Sequence, residues 1–554
     1  MTFDVTTLYG RRNDERWNRT AVGDILERLT GGEPDKIALS AMPDAVVDPR
    51  YAAVSYRQAN SLANRMANAL LARGLLRGER VALLCENSVE AYLTKIAIAK
   101  AGLVALPINV MMAPDVVAHM LRLVEVRVAV VDSDLWPTGG RPFRETGVEP
   151  VAVIGRRLDE LPGVPDFHDA IAGAADSEPD VRIHGDDIWE ILPTSGTTAR
   201  PKAVMISHSY SYAAALSHAM SYSRSLPVET DIRLCTLLPI IYHIGHHAYV
   251  LSAFMCGGSV VLGRKCTGAL MAEAVTREKI TTLWGGSPQL LTDLARAVQA
   301  DPDVYDLTSL EVIVYGWNAI SPDLTRTLTA LGGGRVQFVG IFGQTEAIAC
   351  HRWWPNRWAD LHERTAPQQN YVGIPAPMLG AAVMDETGAL VDGDASGPAE
   401  AVYRSPAMFS GYYRDEPATR HALRGGWFHS GDMVRTGEDG LRVMVDRYKD
   451  VIKSGGENVS SLRVEAVISQ HPSIARAAIV GVPDPRWGEA VTAVVVVRPD
   501  EAFDEDEVIA FCRALLAGYE TPKRIVVVDE LPTTVGGKVL KYRLREQLTG
   551  DRLT

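Results

Sequence analysis

Cysteine is scarce in this sequence, and its spacing carries no pairing signature. The six cysteines are Cys85, Cys235, Cys256, Cys266, Cys350 and Cys512, and no two of them form a C-x-x-C pair. This pattern argues against a disulfide framework and against a cysteine zinc site. We expect reduced, mostly buried thiols, as in a cytoplasmic enzyme.

Long hydrophobic runs and an excess of positive charge are also missing. No stretch reaches the length of about 18 apolar residues that a membrane-spanning helix needs. The N-terminal stretch MTFDVTTLYGRRNDERW lacks the apolar segment of a signal peptide. The formal net charge of -12 disfavours a nucleic acid or an anionic membrane surface as the main partner. We therefore expect a soluble, cytoplasmic protein that acts on small molecules.

The 554 residues have the composition of a globular protein, with 47% hydrophobic and 22% charged residues. From 57 to 132, apolar segments at helical spacing alternate with short β-rich runs, which predicts an α/β fold with a mainly parallel, doubly wound sheet. We expect loops with one short strand at 134–187 and a small β-rich unit at 371–445. After Arg447 we expect a separate domain, in which the run AVTAVVVVRP is either a core strand or an edge strand.

Five consecutive small residues followed by a lysine distinguish the segment between Pro193 and Val204. The small residues are Thr194, Ser195, Gly196, Thr197 and Thr198, and the lysine is Lys202. Backbone N–H groups, hydroxyls and an ammonium are the donors that a polyphosphate chain requires. The run differs from the Walker A pattern, G-x-x-x-x-G-K-[ST]. Taken alone, it fits a Ser/Thr-rich surface loop equally well.

Further segments with chemical potential follow along the chain. Gly340–Glu346 combines an aromatic ring, a glycine, a hydroxyl and a carboxylate. A ring can stack on adenine and a carboxylate can hold Mg²⁺, although the segment also fits a strand-to-helix turn with a capping threonine. Ser430–Asp432 and Asp446–Asn458 come next, and Lys538 lies in a glycine-rich stretch near the C-terminus.

In this order, the motifs resemble the adenylate-forming superfamily of acyl- and aryl-CoA synthetases, peptide-synthetase adenylation domains and luciferases, with acyl-CoA ligases closest in pattern. The resemblance covers nearly the whole chain. It implies an N-terminal ATP- and acyl-binding domain at 1–446, with doubly wound sheets and the β-rich unit, and a small mobile α+β lid domain at 447–554. It also implies that ATP and Mg²⁺ convert a carboxylic acid to acyl-AMP with release of pyrophosphate, and that coenzyme A accepts the acyl group.

The resemblance further implies roles for individual residues. Lys538 would bridge the substrate carboxylate and the α-phosphate, Thr345 would contact the α-phosphate, Glu346 would hold Mg²⁺, and His243 would line the carboxylate site. The positions implied for ATP and coenzyme A are Thr194, Ser195, Gly196, Thr197, Thr198, Lys202, Phe342, Gly343, Gln344, Asp432, Arg447, Lys449 (the hinge), Gly455 and Gly456. These roles agree with electrostatics, because a carboxylate that attacks a phosphate brings two anions together and Lys538 and Mg²⁺ offset the repulsion. A solvated loop lysine is the local alternative for Lys538.

The resemblance places the acyl pocket at Tyr242, His243, His246, Trp284, Gly285, Trp317 and Gly340. This set is aromatic and mainly apolar, without a Lys or Arg to pair a second carboxylate and without an Asp to pair an ammonium. It predicts a bulky hydrophobic monoacid, with fatty, aromatic and polycyclic acids all open. His243, His246 and His247 could share a helical face as metal ligands, but we reject zinc because no carboxylate or cysteine is adjacent in the sequence.

Several positions depart from the usual pattern of the superfamily. Ala199 and Ala203 replace glycines of the phosphate loop, and Trp317 stands where relatives have a small residue. Glu520 replaces a frequent lysine, which bears on coenzyme A. One alternative is therefore an enzyme that stops at the adenylate or passes it to a carrier-protein thiol or a partner ligase. A non-catalytic nucleotide-binding homologue is a third possibility. The joint retention of four residues argues against it: Lys538, Glu346, Asp432 and Arg447.

Overall fold

The structure is a computed structural model that describes residues 21–155, 159, 161–194, 201–391, 398–499, 501–534 and 538–549. Strands β1 to β14 span, in chain order, Ile37–Ala41, Ala53–Ser55, Arg80–Leu84, Val104–Pro107, Val128–Asp132, Glu149–Ile154, Ile188–Pro193, Ala203–Ser207, Arg233–Thr236, Ser259–Leu262, Thr282–Trp284, Val312–Tyr315, Gln337–Gln344 and Ala347–Trp353. Helices α1 to α14 span Asp24–Gly32, Tyr56–Ala72, Val89–Lys100, Pro114–Leu123, Trp136–Gly139, Arg141–Thr146, Phe167–Ile171, His208–Tyr222, Gly245–Ala248, Val250–Cys256, Gly268–Glu278, Pro288–Ala300, Pro322–Leu331 and Ala359–Thr365.

The remaining elements follow in two groups. Strands β15 to β19 span Asn370–Pro375, Gly380–Met384, Ala399–Arg404, Phe428–Thr436 and Arg442–Arg447, and helix α15 spans Glu416–Ala422. Strands β20 to β24 span Ile452–Ser454, Glu457–Val459, Ile474–Asp484, Gly488–Val497 and Arg524–Val527, and helices α16 to α18 span Ser461–Ile468, Glu505–Leu515 and Lys541–Thr549.

A six-stranded sheet near the N-terminus has the strand order β6-β5-β3-β4-β7-β8. Its pairs are parallel from β6 to β7, whereas β8 returns antiparallel to β7. Helix α3 is buried along its whole length, and the side chain of Ser88 accepts a hydrogen bond from the N–H of Ala91 at its N-terminus. Parallel sheets need such cover on their faces, which explains the nearly continuous apolar runs in the sequence. The predicted α/β class is confirmed.

The largest sheet has the order β16-β17-β18-β19-β15-β14-β13-β12-β11-β9-β10-β1-β2. Its middle, from β1 to β13, is parallel, while β13 to β19 pair antiparallel. The predicted β-rich unit therefore continues the same sheet rather than standing apart from it. Its last strand, β19, ends at Arg447.

The C-terminal sheet consists of β20 to β24, with β23 in a central position. Strand β23 pairs with β22, β20 and β24, and Val491, Val494 and Val495 on it are fully buried. The sequence left open whether the run AVTAVVVVRP is a core strand or an edge strand, and these pairings show that it is a core strand. The boundary at 446/447 and the mobility of the lid stay predictions.

One sequence-based expectation is wrong. The segment 134–187 contains the helices α5, α6 and α7 besides β6, although we expected loops with one strand. Proline and glycine suggested loops, but Pro137 and Pro142 occupy the first turns of α5 and α6, where a missing N–H costs no hydrogen bond.

The structure describes the state of the cysteines and the character of the longest helices. All six cysteines are unpaired, and four of them are buried. Among the residues that the structure describes, no helix combines the length and the apolar character needed to cross a membrane.

Candidate active site

The phosphate-loop motif lies between the antiparallel strands β7 and β8. Thr194 closes the base of this loop, because its N–H donates to the carbonyl of Lys202 at 2.9 Å. The Nζ of Lys202 lies 4.3 Å from the ring centre of Tyr412. Ser195, Gly196, Thr197 and Thr198 lie outside the described residues.

The turn between β13 and β14 brings Glu346 to the same tyrosine. The hydroxyl of Tyr412 donates to Oε1 of Glu346 at 2.8 Å. Lys202 and Glu346, which are far apart in sequence, therefore meet at one phenol. A half-buried carboxylate beside a phosphate loop suits Mg²⁺, which prefers oxygen ligands. Sequence reasoning missed Tyr412, for which the run GYYRDE offered no distinguishing signal.

The rest of this turn is tightly packed. A Cβ atom at Gly343 would lie 2.3 Å from the carbonyl oxygen of Ile348, so only glycine fits at this position. The hydroxyl of Tyr210 donates to the carbonyl of Thr345 at 3.1 Å and accepts from the N–H of Ile348 at 3.2 Å. Phe342 is half-buried on β13, so its ring retains surface for a stacking partner.

Asp432 and Arg447 form a pair on adjacent strands. They lie opposite each other on β18 and β19, and Nε of Arg447 is 3.0 Å from Oδ1 of Asp432. The amide of Gln344 donates to the other carboxylate oxygen at 3.3 Å. Burial raises the pKa of Asp432, and Arg447 and Lys538 oppose that rise. The predicted neighbours thus come together around one carboxylate.

Lys538 is exposed and interacts electrostatically with this pair. Its pKa falls to about 7, chiefly because of the Arg447 cation, while Asp432 acts in the opposite direction. Lys538 also lowers the pKa of His243, so it is close enough to interact with both groups. The charge of Lys538 therefore acts both on the Asp432–Arg447 pair and on the segment that carries His243.

The histidine of the predicted carboxylate site is neutral. Nδ1 of His243 accepts from the N–H of Gly245 at 2.9 Å, which leaves the proton on Nε2. Burial, followed by Lys95, His247 and Lys538, lowers the pKa of His243 to about 4. A Cβ at Gly245 would lie 2.8 Å from that Nδ1, so glycine permits this hydrogen bond. His243 can therefore donate from Nε2 to a carboxylate.

Three of the predicted acyl-pocket residues form an aromatic wall, which we define as His243, Trp317 and Trp284 with Tyr249. Their successive ring centres are 6.4, 5.3 and 4.1 Å apart. The backbone of Trp317 has a φ of 68°, which is rare for a bulky residue and costs energy.

The other predicted pocket residues lie around or below the wall. A Cβ at Gly285 would lie 2.4 Å from Leu291, and one at Gly340 would lie 2.9 Å from the hydroxyl of Tyr315, so both glycines sit at close contacts. Tyr242 is half-buried beside His243. His246 is fully buried, and its ring packs on Tyr92, Trp189 and His247 instead of on the wall.

The predicted hinge and coenzyme A positions lie on exposed segments of the chain. Gly455 and Gly456 are exposed in the turn between β20 and β21, and the N–H of Gly455 donates to the carbonyl of Trp487 at 2.7 Å. Lys449 is exposed immediately after β19. Lys449 nevertheless interacts with Lys538, whose pKa it lowers, so the predicted hinge position belongs to the same group of charges.

Comparisons with known proteins agree with this geometry. The model of the AMP-binding enzyme family matches residues 26–413, and that of the AMP-binding enzyme C-terminal domain matches 463–538. The chain belongs to the AMP-binding enzyme family. Feruloyl-CoA synthase of Amycolatopsis sp. is 31% identical over 89% of this chain and 94% of its own length. The long-chain-fatty-acid–CoA ligase FadD13 of Mycobacterium tuberculosis is 29% identical over 91% and 96%.

A solved structure extends the likeness to three dimensions. ATP-bound MatB from Rhodopseudomonas palustris superimposes with a TM-score of 0.80 at 28% identity, over 96% of this chain and 99% of that protein. The predicted adenylate-forming family, the fold and the activity of an AMP-forming acid–thiol ligase that uses ATP, Mg²⁺ and coenzyme A are confirmed. The roles of single residues stay predictions.

This AMP-binding enzyme also contains a buried charged cluster that sequence reasoning missed. Lys95, Glu190 and His247 have fully buried side chains, and Glu190 lies 2.5 Å from Lys95 and 2.6 Å from His247. The only warning in the sequence is a charged residue within each of two apolar runs, YLTKIAIA and IWEILP. We call this cluster the Lys95–Glu190–His247 network.

The network bears on the rejected zinc site. A carboxylate does lie near the histidines, since ligand atoms of Glu190, His246 and His247 fall within 4.8 Å of one another. The expectation that no carboxylate is adjacent was therefore wrong in space, because Glu190 is distant in sequence. However, the Lys95 ammonium already pairs with Glu190, and His247 uses both ring nitrogens for Glu190 and Ser211. These groups do not fit a metal ion.

Proposed function

We propose that this enzyme activates a hydrophobic monocarboxylic acid, and that an aromatic acid is its preferred substrate. The observation that supports this most directly is the aromatic wall, which ends at a neutral His243 whose pKa is lowered in part by Lys538. A planar acid can stack on the wall while its carboxylate accepts a hydrogen bond from Nε2 of His243. The similarity to feruloyl-CoA synthase points to the same class of acid.

The described residues also support roles in the first half-reaction. A carboxylate oxygen of the acid attacks the α-phosphorus of ATP, an O–P bond forms, and pyrophosphate leaves. Lys538 would hold the two anions together, while Asp432 would accept hydrogen bonds from the ribose hydroxyls and Arg447 would hold Asp432 in place. Phe342 would stack on adenine. Mg²⁺, held through Glu346, would supply positive charge at the phosphates.

The second half-reaction transfers the acyl group to sulfur. The thiol of coenzyme A attacks the acyl carbon, a C–S bond forms, and AMP leaves. We propose that the lid, residues 447–554, turns about Lys449 and exchanges Lys538 for the exposed turn at Gly455 and Gly456, as the superfamily resemblance implies. Glu520, which raised doubt about coenzyme A, accepts from Nε of Arg463 at 2.9 Å and from the N–H of Ala517 at 3.0 Å. Its place in the fold is therefore structural.

The test is mass spectrometry of the purified protein with MgATP, coenzyme A and a pool of aromatic, fatty and polycyclic acids. We expect an aromatic acyl-CoA, and acyl-AMP when coenzyme A is omitted. Acyl-AMP that accumulates despite coenzyme A would move the acceptor to a carrier protein or partner ligase. A preference for fatty acids would refute the aromatic assignment, and no adenylate with any acid would refute the proposed function.

A matched variant separates the chemistry from binding. Lys538→Ala should abolish formation of acyl-AMP while the protein still binds ATP and still converts supplied acyl-AMP and coenzyme A to thioester. Adenylate formation by this variant at the wild-type rate would remove the role assigned to Lys538.

A further inference from the structure

The Lys95–Glu190–His247 network lies directly beneath the segment that carries His243. Lys95 comes from α3, Glu190 from β7 and His247 from α9, and their side chains have no exposed surface. Burial alone would raise the pKa of Glu190, yet Lys95 and His247 hold it below the ordinary value. Replacing a buried ion pair by apolar residues is often neutral or stabilising. The contribution of this network to the stability of the fold therefore does not explain why these charged residues are buried here.

Lys95 also holds the backbone ahead of His243. Its Nζ donates to the carbonyl of Ile241 at 2.9 Å and lies 3.4 Å from that of Ile240. Residues 237–244 belong to no helix or strand, so their carbonyls lack the partners that regular structure supplies. Asn87 holds the start of the same stretch, since its amide donates to the carbonyl of Leu238 at 2.9 Å.

His247 holds the other end of the segment. Its Nε2 pairs with Glu190 at 2.6 Å, and its Nδ1 bonds the hydroxyl of Ser211 on α8 at 2.9 Å. Glu190 is thus joined to residue 241 through Lys95 and to residue 247 through the imidazole. Tyr242 and His243 lie between these two points. The network ties both ends of their short segment to one strand of the sheet.

We propose that Lys95 is a positioning residue that, through Glu190 and His247, fixes His243 toward the carboxylate of the acid. Lys95 touches no substrate, and its effect passes through the backbone at Ile241. The inference rests on the proposed function, because it needs His243 at the carboxylate. A buried network with every member paired favours one arrangement of the groups that it holds.

The same helix offers a matched control. Lys100, five residues further along α3, also has a fully buried side chain. It pairs with Glu178, and its Nζ lies 3.5 Å from the carbonyl of Gly23, away from the His243 segment. Lys95→Met and Lys100→Met therefore both remove a buried lysine from one carboxylate, but only the first releases Ile241.

The experiment compares these variants of the full-length protein by acid-dependent ATP–pyrophosphate exchange, with the acid that the wild type uses, and by thermal unfolding. We expect Lys95→Met to lower kcat/KM for the acid about 100-fold, since ångström-scale misplacement of reacting groups costs this much. The KM for ATP should stay near the wild-type value. Lys100→Met should keep its kcat/KM for the acid and lose less thermal stability, because the side chain of its partner Glu178 is 26% exposed and can be hydrated.

A second variant covers the case in which Lys95→Met folds poorly. Lys95→Met with Glu190→Gln removes the unpaired buried carboxylate, so the melting temperature should recover while kcat/KM for the acid stays low. Recovery of both quantities, or equal losses of kcat/KM in the two lysine variants, would overturn the inference. Wild-type protein that forms no acyl-AMP would instead overturn the proposed function, and this inference with it.

Discussion

The hydrogen bond between Tyr412 and Glu346 gives the sharpest prediction about the nucleotide site. Tyr412→Phe removes one hydroxyl and keeps the ring on which Lys202 lies. Burial is the main reason that the pKa of Tyr412 is raised far above its usual value, so the phenol remains a donor at every working pH. The change therefore removes a donor from Glu346 without altering charge.

The magnitude follows from the contact. A hydrogen bond to a charged group contributes about 1.5–3 kcal/mol. Glu346 is only half-buried, and water can replace part of the lost bond, so we take the lower end. A loss of about 1.5 kcal/mol in transition-state stabilisation corresponds to about a tenfold fall in kcat/KM for MgATP. The fall should be largest at limiting Mg²⁺, because Glu346, the proposed Mg²⁺ ligand, would then hold the ion less well.

The assay is ATP–pyrophosphate exchange over a range of Mg²⁺ concentrations. Tyr413→Phe is the control, because that neighbouring ring lines a separate groove with Arg77 and Arg80. Equal kcat/KM values for the two variants at low Mg²⁺ would refute the reasoning. So would a Tyr412→Phe enzyme that matches the wild type throughout the titration.

Three further predictions concern the lysine, the wall and the hinge. Because the pKa of Lys538 is about 7, kcat/KM for ATP should fall as the pH rises through that value and the ammonium loses its proton. Lys538→Arg should not show this fall, and a flat wild-type pH–rate profile would contradict the prediction. Trp317→Ala should raise KM for an aromatic acid about 2- to 10-fold through lost ring contacts, with Trp317→Phe between the two in steady-state assays, and an unchanged KM would exclude the wall. Lys449→Pro should slow thioester formation more than adenylation in rapid-quench measurements, and equal slowing would argue against lid rotation.

The enzyme family was predictable because its motifs are contiguous in sequence. The segment from Pro193 to Val204, the Gly340–Glu346 turn and the stretch around Asp432 are short runs whose order along the chain carries the resemblance, while the roles of their residues stay predictions. The α/β class was readable for a similar reason, since the periodicity of apolar residues reflects local burial. The superfamily resemblance implied that Arg447 lies beside Asp432, and the structure places the two on paired strands.

The sequence did not predict contacts between residues that are distant along the chain. Tyr412 meets Glu346 across 66 positions, and Lys95 meets Glu190 across 95, so no local pattern records either pair. His246 illustrates the same limit, because the superfamily resemblance placed it in the acyl pocket while packing buries its ring in the core. The order of motifs along the sequence identified the chemistry of this enzyme, whereas only the packing of helix α3 against strand β7 brought the buried charges of Lys95 and Glu190 together, because the two residues belong to different elements.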